Sequence, residues 1–560
     1  MLPLRPALLH LLGQATRLRT AGAFALAARD PGATQEARLV GLMRKNADTE
    51  YGRRHGFSDI TSPATYARRL PLMTPADLEP WVDRLMAGER KLLTAADPVY
   101  YVRTTGSTGN AKHVPITAAY KAEFQKTVHV ALWHLYARFP AAFVGRALYF
   151  VGSRRVARAA DGNDIGTMSG FNFTELPPVL RAIYAWPYEL FEVGDLTTRS
   201  YLALWLACLG DISLIAGIFP APMVYLLREL SARADELAHD FRTGTLSPSL
   251  GLTAEQRAFF ARFADKPRPE LADRLTRAAR APEHETARIA WPRLRLAYCW
   301  TTSTAGLYVP ELSRRLGEGV AVRDAIYSAC EGWCSIPMGE EEPGGALAVT
   351  SHYFEFIPES DFDAGLRETR TAAELEDGRR YYIVLSTGAG LYRYLLGDIV
   401  EVCGFHHATP RIRFVRKAGA ASNLVGEKLD ESHVTRAVGG SLVQAGLEAT
   451  WFTLAPELGG AEPGYALLVE LAPASASADD AAIESLRSNV DRALGDASYD
   501  YGRLRAGGQL RPLVLHRLPA GSYQRVRQSK VKDGSAEAQL KTAHLVSDAN
   551  GLPPELRPAR

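Results

Sequence analysis

Residues 104–112, with the sequence TTGSTGNAK, form a segment rich in glycine and hydroxyl groups that ends in a lysine. Glycines allow a sharp turn that brings backbone N–H groups close to an anion, and hydroxyl groups and a lysine donate further hydrogen bonds to phosphate oxygens. A Walker A loop has four residues between its glycine and its Gly-Lys pair, whereas only two separate Gly106 from Gly109. The dinucleotide fingerprint G-x-G-x-x-G is also absent. We therefore expect a phosphate-binding loop of another kind, with a plain surface loop as the alternative.

Three later segments contain further residues that could bind a nucleotide or a metal ion. Residues 327–331 read YSACE, residues 392–398 read YRYLLGD, and Arg416 precedes GEKL at 426–429. With the loop at 104–112, these segments resemble in content and order the motifs of the adenylate-forming superfamily of acyl- and aryl-CoA synthetases and luciferases. That superfamily has a Ser/Thr- and Gly-rich phosphate loop, a Tyr-x-x-Ser-Glu motif, a Tyr-Arg-x-Gly-Asp motif and a crossover into a small C-terminal domain. The chain departs from these motifs at Cys330, which replaces serine, and in the extra residues before Gly397.

Shorter segments narrow the resemblance to one family. They are TEYGRRHGF at 49–57, PL at 71–72, KHVPIT at 112–117, TGAGLYRY at 387–394 and QLKT at 539–542. The chain is similar over nearly its whole length to the plant auxin-responsive acyl-acid amido synthetases and their bacterial relatives. The resemblance is specific for the fold and for adenylation, and weak for the substrate.

The resemblance implies a role for each motif residue. The phosphate loop would hold the β- and γ-phosphates of ATP, and Glu331 would bind Mg²⁺, a hard cation that prefers carboxylate and phosphate oxygens. Tyr327 would stack on adenine, Asp398 would accept hydrogen bonds from the ribose hydroxyls, and Arg416 would contact ribose or phosphate. The predicted ATP-binding residues are Thr104, Thr105, Gly106, Ser107, Thr108, Gly109, Lys112, Tyr327, Asp398 and Arg416. The structural alternatives are a core tyrosine, an aspartate in a turn and an exposed acid.

Lys541 is the candidate catalytic lysine, together with Glu331 as the second catalytic residue. A lysine is a compact charge on a flexible stem, which suits a negative charge that migrates between carboxylate and phosphate. The family's lysine lies in a setting of Gln, any residue, Lys, then Thr or another residue, then Pro; Gln539–Thr542 fits this setting, and Ala543 stands in the proline position. Lys530 and Lys532 are the rival candidates. Arg393 is a weaker candidate for a ligand contact, because an arginine in a strand often belongs to a solvated or ion-paired face.

Composition narrows the class of protein. The 560 residues carry a net charge of +3, with 23% charged and 47% hydrophobic residues, which is ordinary for a globular enzyme and gives no argument for nucleic acid. Five cysteines without framework spacing indicate a reducing compartment, and we expect a cytoplasmic protein. Residues 1–28 lack the uninterrupted apolar core of a signal peptide and predict an amphipathic helix. The apolar stretch at 201–227 is broken by Asp211, Pro220 and Pro222, so no membrane span is expected.

The pattern of elements predicts an α/β fold. Short apolar strands at 147–152, 212–218, 294–300 and 381–386 precede turns or polar loops, the arrangement by which α/β proteins place ligand groups at the carboxyl ends of strands. Residues 400–403 and 412–416 predict a two-stranded element. The small residues at 418–421 are typical of a hinge, and the pattern of strands and helices after them differs from the pattern before them. We expect a large N-terminal α/β domain at 1–420 with the nucleotide and acid sites, and a small mobile α+β domain at 421–560 with the catalytic lysine.

The predicted function is ATP-dependent adenylation of a small aromatic or aliphatic carboxylic acid, followed by acyl transfer. The resemblance implies an amine acceptor, most simply an amino acid. Residues from 201–227 and from the loops near 300–308 would line the acyl pocket. Phe219, Trp300 and Thr304 are the candidate lining residues. A ligase with a thiol acceptor remains an alternative. So does a nucleotide-binding protein that has lost catalysis, because of Cys330 and Ala543 and because acidic residues are missing at 418–419.

Overall fold

The computed structural model describes residues 11, 14–104, 112–264, 266–418, 421–422, 424, 427, 429–457, 463–506, 510–532, 543–546, 552–553 and 556. The chain divides into two compact units, Met1–Phe414 and Val415–Arg560.

The first unit mixes helices with three sheets. Its α-helices are Gln14–Ala27, Pro31–Lys45, Glu50–Arg54, Pro63–Arg69, Pro75–Met86, Ala118–Arg138, Met168–Thr174, Pro178–Arg181, Leu196–Leu209, Pro220–Thr243, Ala254–Ala261, Pro269–Arg280, Glu283–Ala290, Val309–Leu316 and Glu359–Asp363. Its strands are β1 (Tyr100–Thr104), β2 (Lys112–Ile116), β3 (Arg146–Tyr149), β4 (Ala157–Arg158), β5 (Asp164–Gly166), β6 (Ile212–Ala216), β7 (Leu296–Cys299), β8 (Ala321–Asp324), β9 (Tyr327–Ser328), β10 (Trp333–Ile336), β11 (Gly345–Leu347), β12 (Tyr353–Pro358), β13 (Arg370–Thr371), β14 (Arg380–Ser386), β15 (Tyr394–His406) and β16 (Thr409–Lys417), the last of which runs into the second unit.

One four-stranded sheet is parallel throughout, in the order β3-β6-β7-β8. The sequence of β6, ISLIA, is apolar and β-branched, as a strand covered on both faces requires, and four of its five residues are buried. The connections on either side of β6 are the helices Leu196–Leu209 and Pro220–Thr243. Their apolar faces form one core cluster with Trp186, Trp205 and Trp291.

An eight-stranded sheet has the order β13-β12-β14-β15-β16-β11-β10-β9. The predicted strands at 400–403 and 412–416 lie in β15 and β16, two neighbouring strands of this sheet. The strand predicted at 381–386 is β14, which pairs antiparallel with both neighbours. The expectation that its polar loop follows a parallel strand is therefore wrong for β14, and holds for β6 and β7.

A third sheet contains the hairpin that flanks the predicted phosphate loop. β1 pairs antiparallel with β2, and Thr104 lies opposite Lys112 in the last register pair. The two strands therefore bring both ends of the segment 105–111 together. Within the sheet, β5 pairs parallel with β1 and antiparallel with β4.

The described residues of the second unit form two small sheets and four α-helices. Its strands are β17 (Ala421–Ser422), β18 (Leu429–Asp430), β19 (Ala449–Glu457), β20 (Gly464–Leu471) and β21 (Val514–Arg517), and its helices are Glu431–Gln444, Asp480–Ala497, Tyr499–Ala506 and Ser522–Lys532. β19 and β20 are antiparallel and β20 and β21 are parallel. All eight residues of β20, the central strand of its three-stranded sheet, are buried.

Among the described residues, no helix combines the length and the apolar character that crossing a bilayer requires. None of the five cysteines, all of which lie in the described part of the chain, forms a disulfide.

Candidate active site

Tyr327 and Asp398 form the central polar pair of the candidate site. The Tyr327 hydroxyl donates a hydrogen bond of 2.7 Å to Oδ2 of Asp398, and both residues are buried. Burial, followed by the charge of Asp398, raises the pKa of the Tyr327 phenol well above its ordinary value. The phenol therefore stays protonated and holds the carboxylate in one orientation.

An irregularity in β15 sets the position of Asp398. Tyr382 of β14 pairs with Ile399 of β15 and Val384 pairs with Leu395, so one residue of β14 faces three residues of β15. Gly397 lies in this bulge with a φ of 76°, a conformation that favours glycine. The bulge comprises residues 396–398, so it includes Leu396 from the stretch that is longer here than in the superfamily motif, together with the motif's own Gly397 and Asp398.

Glu331 lies half-buried in the tight turn between β9 and β10. The turn is closed by hydrogen bonds between the backbones of Ala329 and Gly332, at 2.8 and 3.2 Å. The Tyr120 hydroxyl donates to the Cys330 carbonyl at 2.8 Å. The cysteine that replaces serine thus lies at a position whose backbone is held from a neighbouring helix.

Tyr394 connects the two candidate carboxylates. Burial, followed by the negative charges of Glu331 and Asp398, raises its pKa, and its hydroxyl is hydrogen-bonded to Glu331. Both carboxylates therefore act on one tyrosine hydroxyl, so they belong to one patch. Hard oxygen ligands grouped in this way suit a magnesium ion.

A buried hydrogen-bond network of Glu123 and His352 contacts the strand that follows the Glu331 turn, through the backbone N–H of Trp333. Nδ1 of His352 lies 3.0 Å from Oε2 of Glu123, and Nε2 of His352 accepts the N–H of Trp333 at 3.1 Å. Glu123 also accepts the N–H of Gly388 at 2.9 Å and an ion pair from Arg38. Because Nε2 accepts, His352 is neutral with its proton on Nδ1; burial, followed by the charge of Arg38, lowers its pKa from 6.5 to about 3.

An aromatic wall adjoins Tyr327. Trp300 packs edge-on against Phe219 at 5.3 Å and approaches Tyr327 at 6.4 Å, measured between ring centroids. Phe414 lies 5.5 Å from Tyr327 on the same measure, and the Trp300 indole N–H donates to the Ile326 carbonyl at 2.8 Å. Two of the predicted acyl-pocket residues therefore lie in one cluster with the predicted adenine residue.

The parallel sheet explains this convergence. Phe219 follows β6, Trp300 follows β7, and Asp324 ends β8, so all three come from the carboxyl end of the same sheet. Asp324 is buried, and burial raises its pKa although the N–H groups of Gly344 and Thr301 donate to it at 2.9 Å. Thr304 belongs to the 3-10 helix Ser303–Tyr308 that follows β7.

Two predicted residues have other surroundings. Arg416 lies in the second unit, where its Nε is 3.5 Å from Oδ2 of Asp430. Arg393 is buried, with Nε 3.1 Å from Oε1 of Glu355, and it also donates to the carbonyls of Ala67 and Leu70. Of the two alternatives to a ligand role, the structure therefore shows an ion-paired arginine, and a buried one, rather than a solvated one.

Several predicted residues lie outside the described part of the chain: Thr105, Gly106, Ser107, Thr108, Gly109 and Lys541. The segment Ala543–Val546, close after Lys541, is described. Its Leu545 bridges Leu454 of β19, and the His544 N–H donates to Glu431 at 2.6 Å.

Sequence reasoning missed Glu123, His352, Tyr394, Asp324 and Phe414. Tyr394 could have been predicted from the sequence, because it lies inside the motif segment YRYLLGD. Glu123 and His352 stand 229 positions apart, and no local pattern joins them.

Comparisons with known proteins agree with this fold. Models of the GH3 family N-terminal, central and C-terminal domains match residues 20–321, 345–417 and 432–550. The chain is 26% identical to jasmonoyl–L-amino acid synthetase JAR6 of Nicotiana attenuata, with 93% of this chain and 92% of the relative covered. It is 27% identical to the probable indole-3-acetic acid-amido synthetase GH3.12 of Oryza sativa subsp. japonica, with 94% and 93% covered.

Solved structures give the same fold. The GH3.15 acyl acid amido synthetase superposes with a TM-score of 0.84 at 20% identity, covering 95% of this chain and 94% of that one. A 2-hydroxyisobutyryl-CoA ligase in its postadenylation state has a TM-score of 0.54 at 12% identity, covering 93% and 90%. The predicted family and fold class are confirmed. The chain belongs to the GH3 family of acyl-acid amido synthetases, AMP-forming acid–amino acid ligases with the adenylate-forming fold.

Proposed function

We propose that this chain uses ATP to adenylate a small carboxylic acid and then passes the acyl group to the amino group of an amino acid. In the first step a carboxylate oxygen bonds to the α-phosphorus, the bond to the β-phosphate bridge breaks, and pyrophosphate leaves. In the second step the amine nitrogen bonds to the acyl carbon, the bond to the AMP oxygen breaks, and the amine loses a proton. The products are an amide and AMP.

One observation supports this proposal above the others: two carboxylates, Asp398 and Glu331, act on a single tyrosine beside an aromatic wall. Asp398 would accept hydrogen bonds from the ribose hydroxyls, and Tyr327, held by Asp398, would line the adenine side. The wall of Phe219 and Trp300, with Thr304 in the following helix, would receive an aromatic or aliphatic acid.

Glu331 is the residue that would hold Mg²⁺. The ion, when bound, would neutralise phosphate charge as the transition state forms. The loop at 104–112 would donate hydrogen bonds to the β- and γ-phosphates, and Arg416 would reach ribose or phosphate from the second unit. Lys541, with Lys530 and Lys532 as rivals, would meet the developing charge between carboxylate and α-phosphate.

In this proposal the domain at 1–420 binds the nucleotide and the acid, and the mobile domain at 421–560 carries the catalytic lysine. We place the reaction in the cytoplasm, where free cysteines persist.

The decisive experiment is ATP–pyrophosphate exchange across a panel of aromatic and aliphatic acids, followed by mass spectrometry of products formed with amino acids. Exchange with at least one acid, with amide and AMP in equal amounts, supports the proposal. Asp398→Asn should lose exchange, whereas Glu401→Gln, a carboxylate further along the same strand, should retain it.

The same assay decides between the alternatives. A product formed with a thiol such as coenzyme A, and none with amino acids, would replace the amine acceptor by a thiol. No exchange with any acid, together with retained ATP binding, would indicate a nucleotide-binding protein without catalysis.

A further inference from the structure

A cavity with charged residues in its lining lies in the first unit, and neither Tyr327 nor Asp398 lines it. Its volume is about 200 Å³, and it opens between the helices Pro31–Lys45 and Ala118–Arg138. Since a water molecule occupies about 30 Å³ of liquid, this space holds roughly six waters, which is sufficient for a phosphate group.

Cations dominate the lining of this cavity. Arg38, Lys45 and Lys126 all line it, and Glu123 is its one acidic residue among the described residues. Both carboxylate oxygens of Glu123 already accept hydrogen bonds, Oε1 from Arg38 and Oε2 from His352 and Gly388. The cavity therefore carries an excess of positive charge.

The neutral polar groups of the lining are engaged within the protein. The Asn46 amide donates to the Leu42 carbonyl at 3.0 Å and accepts from the Ala95 N–H at 2.9 Å. The hydroxyls of Thr94 and Thr117 donate to backbone carbonyls at 2.7 and 2.6 Å. The three cations are thus the groups that remain for recognition.

Arg38 lines the cavity and has an unused hydrogen-bond donor. Its ion pair with Glu123 fixes one nitrogen, and in the part of the chain that the structure describes its buried Nε has no hydrogen-bond partner. A buried donor without a partner costs free energy that a bound acceptor would recover. Because Glu123 is itself fixed by two further hydrogen bonds, the guanidinium needs little reorganisation to bind.

Burial and mutual repulsion disfavour the charged forms of Arg38 and Lys126. Burial lowers the pKa of Arg38 from 12.5 to about 10. Burial, followed by repulsion from Arg38, lowers the pKa of Lys126. Neither Lys45 nor Lys126 has an ion pair with a described carboxylate. An anion in the cavity would relieve both the repulsion and the unpaired donor.

We propose that the cavity lined by Arg38, Lys45 and Lys126 is a binding site for a small phosphate-type anion, separate from the nucleotide site. Three cations around one neutralised carboxylate match the charge of a dianion better than that of a single carboxylate. The guanidinium would bind two oxygens and the two lysines the others.

The test is isothermal titration of the full-length protein with inorganic phosphate at constant ionic strength in chloride. The protein is first saturated with a non-hydrolysable ATP analogue, so that phosphate cannot enter the predicted phosphate loop. We expect one phosphate per chain, with affinity about 10²-fold weaker in Lys45→Gln/Lys126→Gln, since each of the two lost charged hydrogen bonds is worth about tenfold.

The matched control is Arg29→Gln/Arg44→Gln, which removes the same charge from exposed residues outside the cavity and should bind phosphate within twofold of the wild type. Equal affinity in the wild type and the cavity variant, or no binding by the wild type, would overturn the proposal. A tighter titration with a small phosphate monoester would identify an organic ligand, and a weaker one would identify inorganic phosphate.

This outcome is independent of the proposed ligase function. Asp398→Asn should lose the nucleotide and still bind phosphate in the cavity. The two proposals therefore fail separately.

Discussion

The hydroxyl of Tyr327 lies 2.7 Å from Oδ2 of Asp398, and this hydrogen bond joins β9, at one edge of the eight-stranded sheet, to a bulge in β15 near its centre. The bond fixes a buried carboxylate beside an aromatic wall. A carboxylate fixed in this way can discriminate a ribose by its paired hydroxyls, because its partners cannot be replaced by water in a closed site.

The first prediction concerns that carboxylate. Asp398→Ala should weaken ATP binding by ~10²-fold or more, since it removes one or two charge-assisted hydrogen bonds of ~1.5–3 kcal/mol each. Equilibrium binding of ATP measures the effect, and circular dichroism checks the fold. Glu401→Gln on the same strand should bind like the wild type. Unchanged affinity in folded Asp398→Ala would remove this residue from the site.

The second prediction concerns Glu331. If its carboxylate holds Mg²⁺, Glu331→Gln should raise the Mg²⁺ concentration for half-maximal pyrophosphate exchange by ~10-fold or more, because a neutral amide is a poorer ligand for a hard cation. The measurement is a Mg²⁺ titration at fixed ATP. The exposed Glu342 provides a control, and Glu342→Gln should follow the wild-type curve. Overlapping curves for Glu331→Gln would make it a surface acid.

The third prediction is a pH dependence of stability that arises from His352. Its pKa is about 3 in the folded protein and 6.5 in the unfolded chain. Below pH 6.5 the unfolded state therefore takes up a proton that the folded state does not, so this stabilisation is complete above pH 6.5 and is lost as the pH falls towards 3. Between pH 7 and 5 the loss is about 2 kcal/mol.

His352→Gln tests this prediction, because an amide can donate to Glu123 and accept from the Trp333 N–H without titrating. Urea unfolding at pH 7 and pH 5, followed by tryptophan fluorescence, should give a difference about 2 kcal/mol smaller in the variant than in the wild type. The exposed His284 serves as the control, and His284→Gln should keep the wild-type difference. A variant with the wild-type difference would show that His352 does not supply the dependence.

Much of the site was predictable because its residues lie in short motifs. The strands β6 and β7 were found as apolar runs, and the residues that follow them, Phe219 and Trp300, come together because both strands are parallel members of one sheet. Tyr327 and Asp398 were found from motifs in the expected order. The residues of a short motif, and the residue that follows a buried strand, can both be identified from a few neighbouring positions in the sequence.

The supporting structure was not predictable in the same way. The bulge at Gly397 depends on the register between β14 and β15, which no single strand specifies. The antiparallel pairing of β14 depends on topology, since a buried antiparallel strand and a parallel one share the same apolar pattern. Glu123 looks like a solvated helix residue in the sequence, and only tertiary packing brings it to His352.

The last prediction concerns Lys541, which the sequence assigns as the catalytic lysine. The segment Ala543–Val546 is pinned to β19 by the Leu454–Leu545 bridge, and the side chain of His544 is buried within the second unit. A lysine just before a fixed segment can be presented to a substrate by a short stretch of chain. Its charge is needed where carboxylate and α-phosphate meet, and much less when an amine attacks a finished acyl-adenylate.

Lys541→Ala should therefore lose ~10²–10³-fold in pyrophosphate exchange, the usual cost of removing one preorganised donor, yet still consume synthetic acyl-adenylate when an amino acid is supplied. Single-turnover assays of the two half-reactions measure this split. Equal losses in both steps would indicate a structural lysine, because misfolding or misplacement does not distinguish the half-reactions. Full activity in Lys541→Ala, with loss in Lys530→Ala or Lys532→Ala, would move the catalytic charge to the helix Ser522–Lys532.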